Sequence, residues 1–258
     1  MDIQEYKKAN VNALKRHPWE MARWSILHFL IQQFLQPEKL IIDIGSGDGY
    51  IAENLSRTYP YCNVIAVDIN YDQDFINKKK NASNIIYVPT LTEVAKLNPL
   101  PADLVILMDV LEHVEYPDIL LKDAGGTLHI QKSSVFIITV PAYQGLFSRH
   151  DEILGHYKRY NRTEISKLLE RGGFTVVQSG YFFTSLALFR YFEKLSQFVF
   201  NSNPLAKKGV YNWKGGTTIT FFLKNLFLLE FKISWYLSKI GIYIPGLSCY
   251  CLCRKSPS

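Results

Sequence analysis

"LIIDIGSGDGYIAENL", residues 40 to 55, decides the fold. Leu40 to Ile44 is an apolar run interrupted only by Asp43, and Gly45, Gly47 and Gly49 then alternate, supplying backbone angles closed to other residues. A helical pattern starts directly behind them. The stretch predicts a buried strand, a tight turn and a helix whose N-terminus offers bare backbone N–H groups to a ligand. A dinucleotide-binding turn would read G-x-G-x-x-G, whereas this one is Gly45-Ser46-Gly47-Asp48-Gly49, with a carboxylate that would repel a pyrophosphate. Asp43, inside the strand, adds a second negative group. A cationic ligand suits the turn better.

Working outward, "VIAVDI" predicts a second strand ending at Asp68, within the roughly 20-residue reach at which such folds present an acid to ribose hydroxyls. Strands and helices keep alternating: "NIIYVP", "ADLVILMD", a helix near "PDILLKDAGGTLHI", the strand "SSVFIITVP", a helix at "TEISKLLERGG" and the strand "FTVVQSGYFF". This is the rhythm of a parallel sheet. In front of it, "HPWEMARWSILHFLIQQFLQ" predicts an amphipathic helix with Pro18 at its first position. His28 and His129 read as ordinary helix residues.

After Phe183 the texture changes. Residues 184–246 show no clear strand and are crowded with aromatic and aliphatic side chains, so they predict helices inserted before a last strand, "SCYCLCRK". The long apolar run from Ile219 to Gly241 is interrupted by Lys224, Glu230, Lys232 and Lys239, which argues against a membrane span. Asn225, Lys232 and Lys239 recur every seven residues as a narrow polar stripe. A helix packed over the sheet is the favoured reading, and a lid or membrane-surface element is the alternative. The chain thus divides into an N-terminal helical cap (1–36), a core (37–183), the insertion (184–246) and a final strand with tail (247–258).

The length of 258 residues suits one decorated domain, and a hydrophobic fraction of 48% with 20% charged residues is that of an ordinary globular chain. A net charge of +6 suits anionic partners, but without a dense basic tract or an RNA-binding module nucleic acid is not the expected acceptor. The opening residues lack an apolar signal segment, so a cytoplasmic protein is expected, with peripheral contact to a membrane through 184–246 as an option. Cys249, Cys251 and Cys253 alternate on one strand face and predict buried, reduced thiols rather than disulfides or a zinc site.

These motifs resemble the class I S-adenosylmethionine-dependent methyltransferases, whose first motif has the form of "IIDIGSGDG" and whose second strand ends as "AVDI" does. The resemblance implies an α/β, Rossmann-like, seven-stranded sheet with its last strand antiparallel. It places Asp43, Gly45, Ser46 and Gly47 around the methionine part of S-adenosylmethionine, Asp68 on the ribose and Ile69 against the adenine. It further implies methyl transfer to an oxygen or nitrogen of a small or lipid-linked molecule. The alternative from another class is a non-catalytic S-adenosylmethionine-binding scaffold.

Two segments carry candidate chemistry. "MDVLEHV", residues 108–114, leaves the sheet at its carboxyl edge, and the loop after the fifth strand brings Ser148, His150, Asp151, His156, Lys158, Arg159 and Tyr160. Methyl transfer is an in-line displacement that requires an aligned nucleophile and removal of its proton, for which His150 or His156 is the candidate base. "DVLEH" is similar to the E-x-x-E-H element of the ubiquinone-biosynthesis and small-RNA O-methyltransferases, and His156, Tyr160 and Arg162 fit the spacing of the latter. That likeness would make Asp109, Glu112, His113 and His156 a divalent-metal site acting on a vicinal diol. The metal-free base is favoured, because aspartate replaces glutamate at 109 and its carboxylate can serve the cofactor instead. His17 is a further candidate for the cleft, or a residue that packs the helix start.

Overall fold

Strand β1 (Leu40–Ile44) is buried along its whole length, as a central parallel strand covered on both faces requires. It pairs in parallel with β2 (Asn63–Val67) on one side and β4 (Ala102–Met108) on the other. β3 (Ile85–Val88) extends the sheet beyond β2, and β5 (Ile130–Pro141) lies beyond β4. β7 (Ser248–Lys255) runs antiparallel between β5 and β6 (Phe174–Phe182), so the order is β3-β2-β1-β4-β5-β7-β6. The connections reverse direction between β1 and β4, and the carboxyl ends of those strands therefore border the crevice where such sheets bind ligands. In this computed structural model the described residues are 16–34, 39–79, 84–97, 99–128, 130–200, 213 and 215–256, so the reading of His129 lies outside them.

The helices are α1 (Pro18–Phe34), α2 (Tyr50–Thr58), α3 (Gln73–Lys79), α4 (Leu91–Lys96), α5 (Pro117–Thr127), α6 (Arg149–Ile153), α7 (Arg162–Arg171), α8 (Thr184–Phe200) and α9 (Thr217–Ser238). Pro18 opens α1 as its fixed φ favours. α4 was not expected from the sequence, although its signal was there: Thr90 caps the helix by accepting the Glu93 N–H at 3.2 Å.

Alternate residues of the strands feed two cores. On one face Ile41, Val64, Leu104 and Ile106 meet α1 and the α9 residues Phe227, Phe231 and Trp235. On the other, Ile42, Ile44, Val105 and Leu107 meet α5 and α7, together with Cys249, Cys251 and Cys253. Those three thiols are buried and free, as their alternation implied. Phe29 of α1 sets its ring edge-on to Phe231 at 5.7 Å and to Trp235 at 5.1 Å, which ties the N-terminal helix to α9. Among the described residues no helix is long and apolar enough to cross a membrane.

Candidate active site

The turn after β1 holds Gly45 at φ 72°, Gly47 at φ 57° and Gly49 at φ 80°, left-handed values that disfavour any side chain. At Gly45 space forbids one as well, since a Cβ would collide with Val110 Cγ2. The backbone is therefore bare where β1 and β4 part. Asp43 lies just beneath, buried, accepting the Ser46 hydroxyl at 2.6 Å. Burial pushes its carboxyl up to about 7; the Ser46 bond opposes that shift and the nearby Asp68 adds to it.

At the end of β2, Asp68 is pinned at the mouth of the turn. Its Oδ2 accepts the Gly47 N–H at 2.9 Å and its Oδ1 the Asn70 N–H at 2.9 Å. The next residue, Ile69, is 84% exposed, an apolar platform beside a carboxylate. Asp48 behaves differently from the sequence expectation. It is buried and paired with Arg16, whose guanidinium also lies over the Tyr50 ring at 4.1 Å, so its charge is neutralised within the protein.

Asp109 follows β4 with φ 55°, an unusual value for a non-glycine residue. Two contacts hold it there: Thr139 Oγ1 donates to Oδ1 at 2.9 Å, and Arg23 of α1 pairs with Oδ2. The N-terminal segment thus spans the crevice, with Arg16, just ahead of α1, on Asp48 and Arg23 of α1 on Asp109.

Glu112 and His113 follow in a short 3₁₀ turn, Leu111–His113. Glu112 is 1% exposed, and neither carboxylate oxygen has a hydrogen-bond partner. Burial pushes its carboxyl up to about 8, against the pull of Arg23 and Arg159. The ring of His113 stands edge-on to that of His156, with centroids 4.6 Å apart. His156 Nδ1 is 2.9 Å from Asp151 Oδ1, and this fully buried carboxylate also accepts Arg159 Nε at 2.8 Å, Ser148 N at 2.9 Å and Ser148 Oγ at 3.0 Å. Burial alone would raise the Asp151 carboxyl, but the bonds from His156, Arg159 and Ser148 outweigh it and hold it well below the usual carboxylate range. The local cause is a capping box, Ser148 with Asp151 at the start of α6, which turns the acid inward.

One atom each from Glu112, His113 and His156 lie within 4.8 Å of one another, a grouping able to hold a metal ion. Asp109 is not part of it. The four-residue set suggested by the sequence is corrected to three, because Arg23 and Thr139 hold the aspartate. His150 is half-buried in α6, and burial first, then the Arg190 charge, lowers its pKa. His17 packs beside Trp19 and, at 4.8 Å, Trp213, and His28 stacks on Trp24 at 5.5 Å, so both serve packing. The sequence reading assigned no role to Arg16, Arg23 or Asp151. Asp151 sits in a Ser-x-x-Asp cap, so its signal was present; Arg16 lies ahead of α1 and Arg23 within it, so no helical spacing links the two arginines.

Sheet order, antiparallel seventh strand and acid-tipped glycine turn together define a class I S-adenosylmethionine-dependent methyltransferase. A family model described as a methyltransferase domain matches residues 19–179, and the chain belongs to that family. It is 26% identical over 108 residues to the mitochondrial ubiquinone biosynthesis O-methyltransferase of Saccharomyces cerevisiae, a match covering 41% of this chain and 35% of that enzyme. It is 24% identical over 189 residues to a tRNA (guanine-N(7)-)-methyltransferase of Exiguobacterium sp., covering 72% of this chain and 79% of that one. Among solved structures, a SAM-dependent methyltransferase from Archaeoglobus fulgidus superposes with a TM-score of 0.52 at 20% identity, covering 90% of this chain and 92% of that one. The protein is an enzyme of this class, with S-adenosylmethionine as its methyl donor.

Proposed function

We propose that this methyltransferase acts on an oxygen or nitrogen of a small or lipid-linked acceptor, with His156 accepting the acceptor's proton. The single observation that carries this reading is the contact between buried Asp151 and half-buried His156, 2.9 Å apart. Asp151 binds Nδ1, fixes the tautomer and leaves Nε2 as the proton-accepting atom. Asp43, the Gly45–Gly47 backbone, Asp68 and Ile69 would hold the donor, whose sulfonium supplies an electrophilic methyl carbon. Asp109, locked by Arg23 and Thr139, borders the same crevice. His150, in the same loop, lines the approach from α8.

A second reading rests on Glu112. A carboxylate buried with both oxygens unpartnered, next to His113 and His156, is costly unless a cation joins it. The donor set, one carboxylate and two imidazoles with Asp151 behind His156, fits zinc, manganese or magnesium. Such an ion would lower the pKa of an acceptor hydroxyl, and a vicinal diol would be the acceptor.

Incubation with methyl-labelled S-adenosylmethionine and fractionated cell extract tests the first reading. Label should enter the small-molecule or lipid fraction, and His156→Ala should abolish it while cofactor binding persists. Label recovered in RNA would refute the acceptor class. Metal analysis of protein purified without chelators separates the readings, since stoichiometric ion lost in Glu112→Gln supports the second.

A further inference from the structure

Helix α9 is apolar on two opposite sides. Phe227, Phe231 and Trp235 face the core, while Ile219, Phe222, Leu226, Leu229, Ile233, Tyr236 and Ile240 are all exposed. The latter recur at intervals of three and four residues, which sets them along one line of the helix surface. Helix α8 adds exposed Leu188, Phe189, Tyr191, Phe192 and Leu195. Core packing accounts for the first face of α9; among the described residues the second face, with α8, has no intramolecular role. Contiguous apolar surface of this kind marks an interaction site.

Charge identifies the occupant. The cations on these helices are Arg190, Lys194, Lys224 and Lys232, with Lys239 at the C-cap of α9, against two acids, Glu193 and Glu230. Glu193 is tied to Arg190 at 2.9 Å, and the half-buried Glu230 accepts the Ser185 N–H at 3.1 Å. These helices therefore carry net positive charge, with the Lys232 and Lys239 ammonium groups set over the Phe29 and Trp235 rings at the flank of the exposed apolar and tyrosyl side chains, a composition that seats on an anionic lipid interface. A second copy of the chain fits less well. Pairing two α9 helices antiparallel along this seam would set the Asn225, Lys232 and Lys239 edge against itself, lysine facing lysine.

The surface also continues to the active-site loop. Lys194 of α8 binds the Gly145 carbonyl, and the Arg190 charge acts on His150. Ile153 and Tyr157, on the same loop, are exposed. We propose that the outer faces of α8 and α9 seat on an anionic lipid surface and bring the loop carrying His150 and His156 to its plane. Lipid contact stands on the exposed faces alone; only the delivery of a lipid-linked acceptor rests on the function proposed above.

The test is sedimentation of the full chain with vesicles of phosphatidylcholine alone and of phosphatidylcholine mixed with phosphatidylglycerol, with light scattering to fix the oligomeric state. The protein should pellet with the anionic vesicles and be released as salt rises. Phe222→Ser/Leu229→Ser should weaken that partitioning by about tenfold or more, with the unfolding midpoint and S-adenosylmethionine affinity unchanged. Lys232→Gln/Lys239→Gln should weaken binding to anionic vesicles selectively. Full recovery in the supernatant overturns the proposal, as does vesicle binding that the serine variant leaves intact. A dimer that the serine variant splits, without vesicle binding, assigns the surface to a second copy instead. None of these readouts requires methyl transfer, so loss of the functional reading would leave the lipid result standing.

Discussion

Replacing Gly45 by alanine probes the joint on which the cofactor turn depends. Two costs add there. At φ 72° a side chain meets the left-handed penalty of about 1 to 2 kcal/mol. Its Cβ also collides with Val110 Cγ2, and overpacking of this kind typically costs about 1 to 3 kcal/mol. Gly45→Ala should therefore lose about 2 to 5 kcal/mol of a total stability on the order of 5 to 15 kcal/mol. The second substitution apportions that loss. In the Gly45→Ala/Val110→Ala protein the collision is relieved while the backbone penalty stays, so the double-mutant cycle should show a favourable coupling of about 1 to 3 kcal/mol. Urea unfolding followed by circular dichroism, with the slope m constant across the four proteins, measures it. A loss below about 0.5 kcal/mol for Gly45→Ala would refute the close approach of turn and β4. Zero coupling would leave backbone strain as the whole cost and remove Val110 from the account.

Three further outcomes are expected. Asp68→Ala should weaken S-adenosylmethionine binding by about 1 to 3 kcal/mol through lost hydrogen bonds to the ribose, read by calorimetry; unchanged affinity would remove Asp68 from the site. Asp43 has its folded pKa raised from 3.8 to about 7, so its contribution to apo-protein stability is present below the unfolded value and is lost as pH rises through about 7. A cationic donor favours the ionised carboxyl, so affinity should tighten as pH rises toward that value and then level off, a dependence that Asp43→Asn should flatten. Asp151→Asn should lower kcat by about 10- to 100-fold with cofactor affinity retained. It should also destabilise the fold, because buried Arg159 loses its charge partner; a wild-type kcat would exclude His156 as the oriented base.

How legible the molecule was depends on the range of the interaction. The strand carrying Asp43 and the turn at Gly45 and Gly47 could be read from their neighbours in the chain, because a parallel strand ending in a glycine turn is written in a few consecutive residues. The Thr90 cap of α4 was equally local and was passed over between two stronger strand signals. The partners that hold Asp109, Arg23 and Thr139, come from α1 and β5 and were not legible. Spacing along "MDVLEHV" says nothing about either.

Periodicity and turn chemistry, which act over neighbouring residues, were enough to determine a parallel α/β sheet, an acid-bearing glycine turn suited to a cationic ligand and helices between the last two strands; the identity of that ligand came from the family resemblance. Contact between residues remote in the chain decided the rest. Folding brought His156, held by Asp151, beside Glu112, closed the N-terminal segment over the crevice through Arg16 ahead of α1 and Arg23 within it, and left one apolar face of α9 outside the core. Each of these depends on which surfaces meet when layers pack, and the chain records both faces of a helix in the same letters.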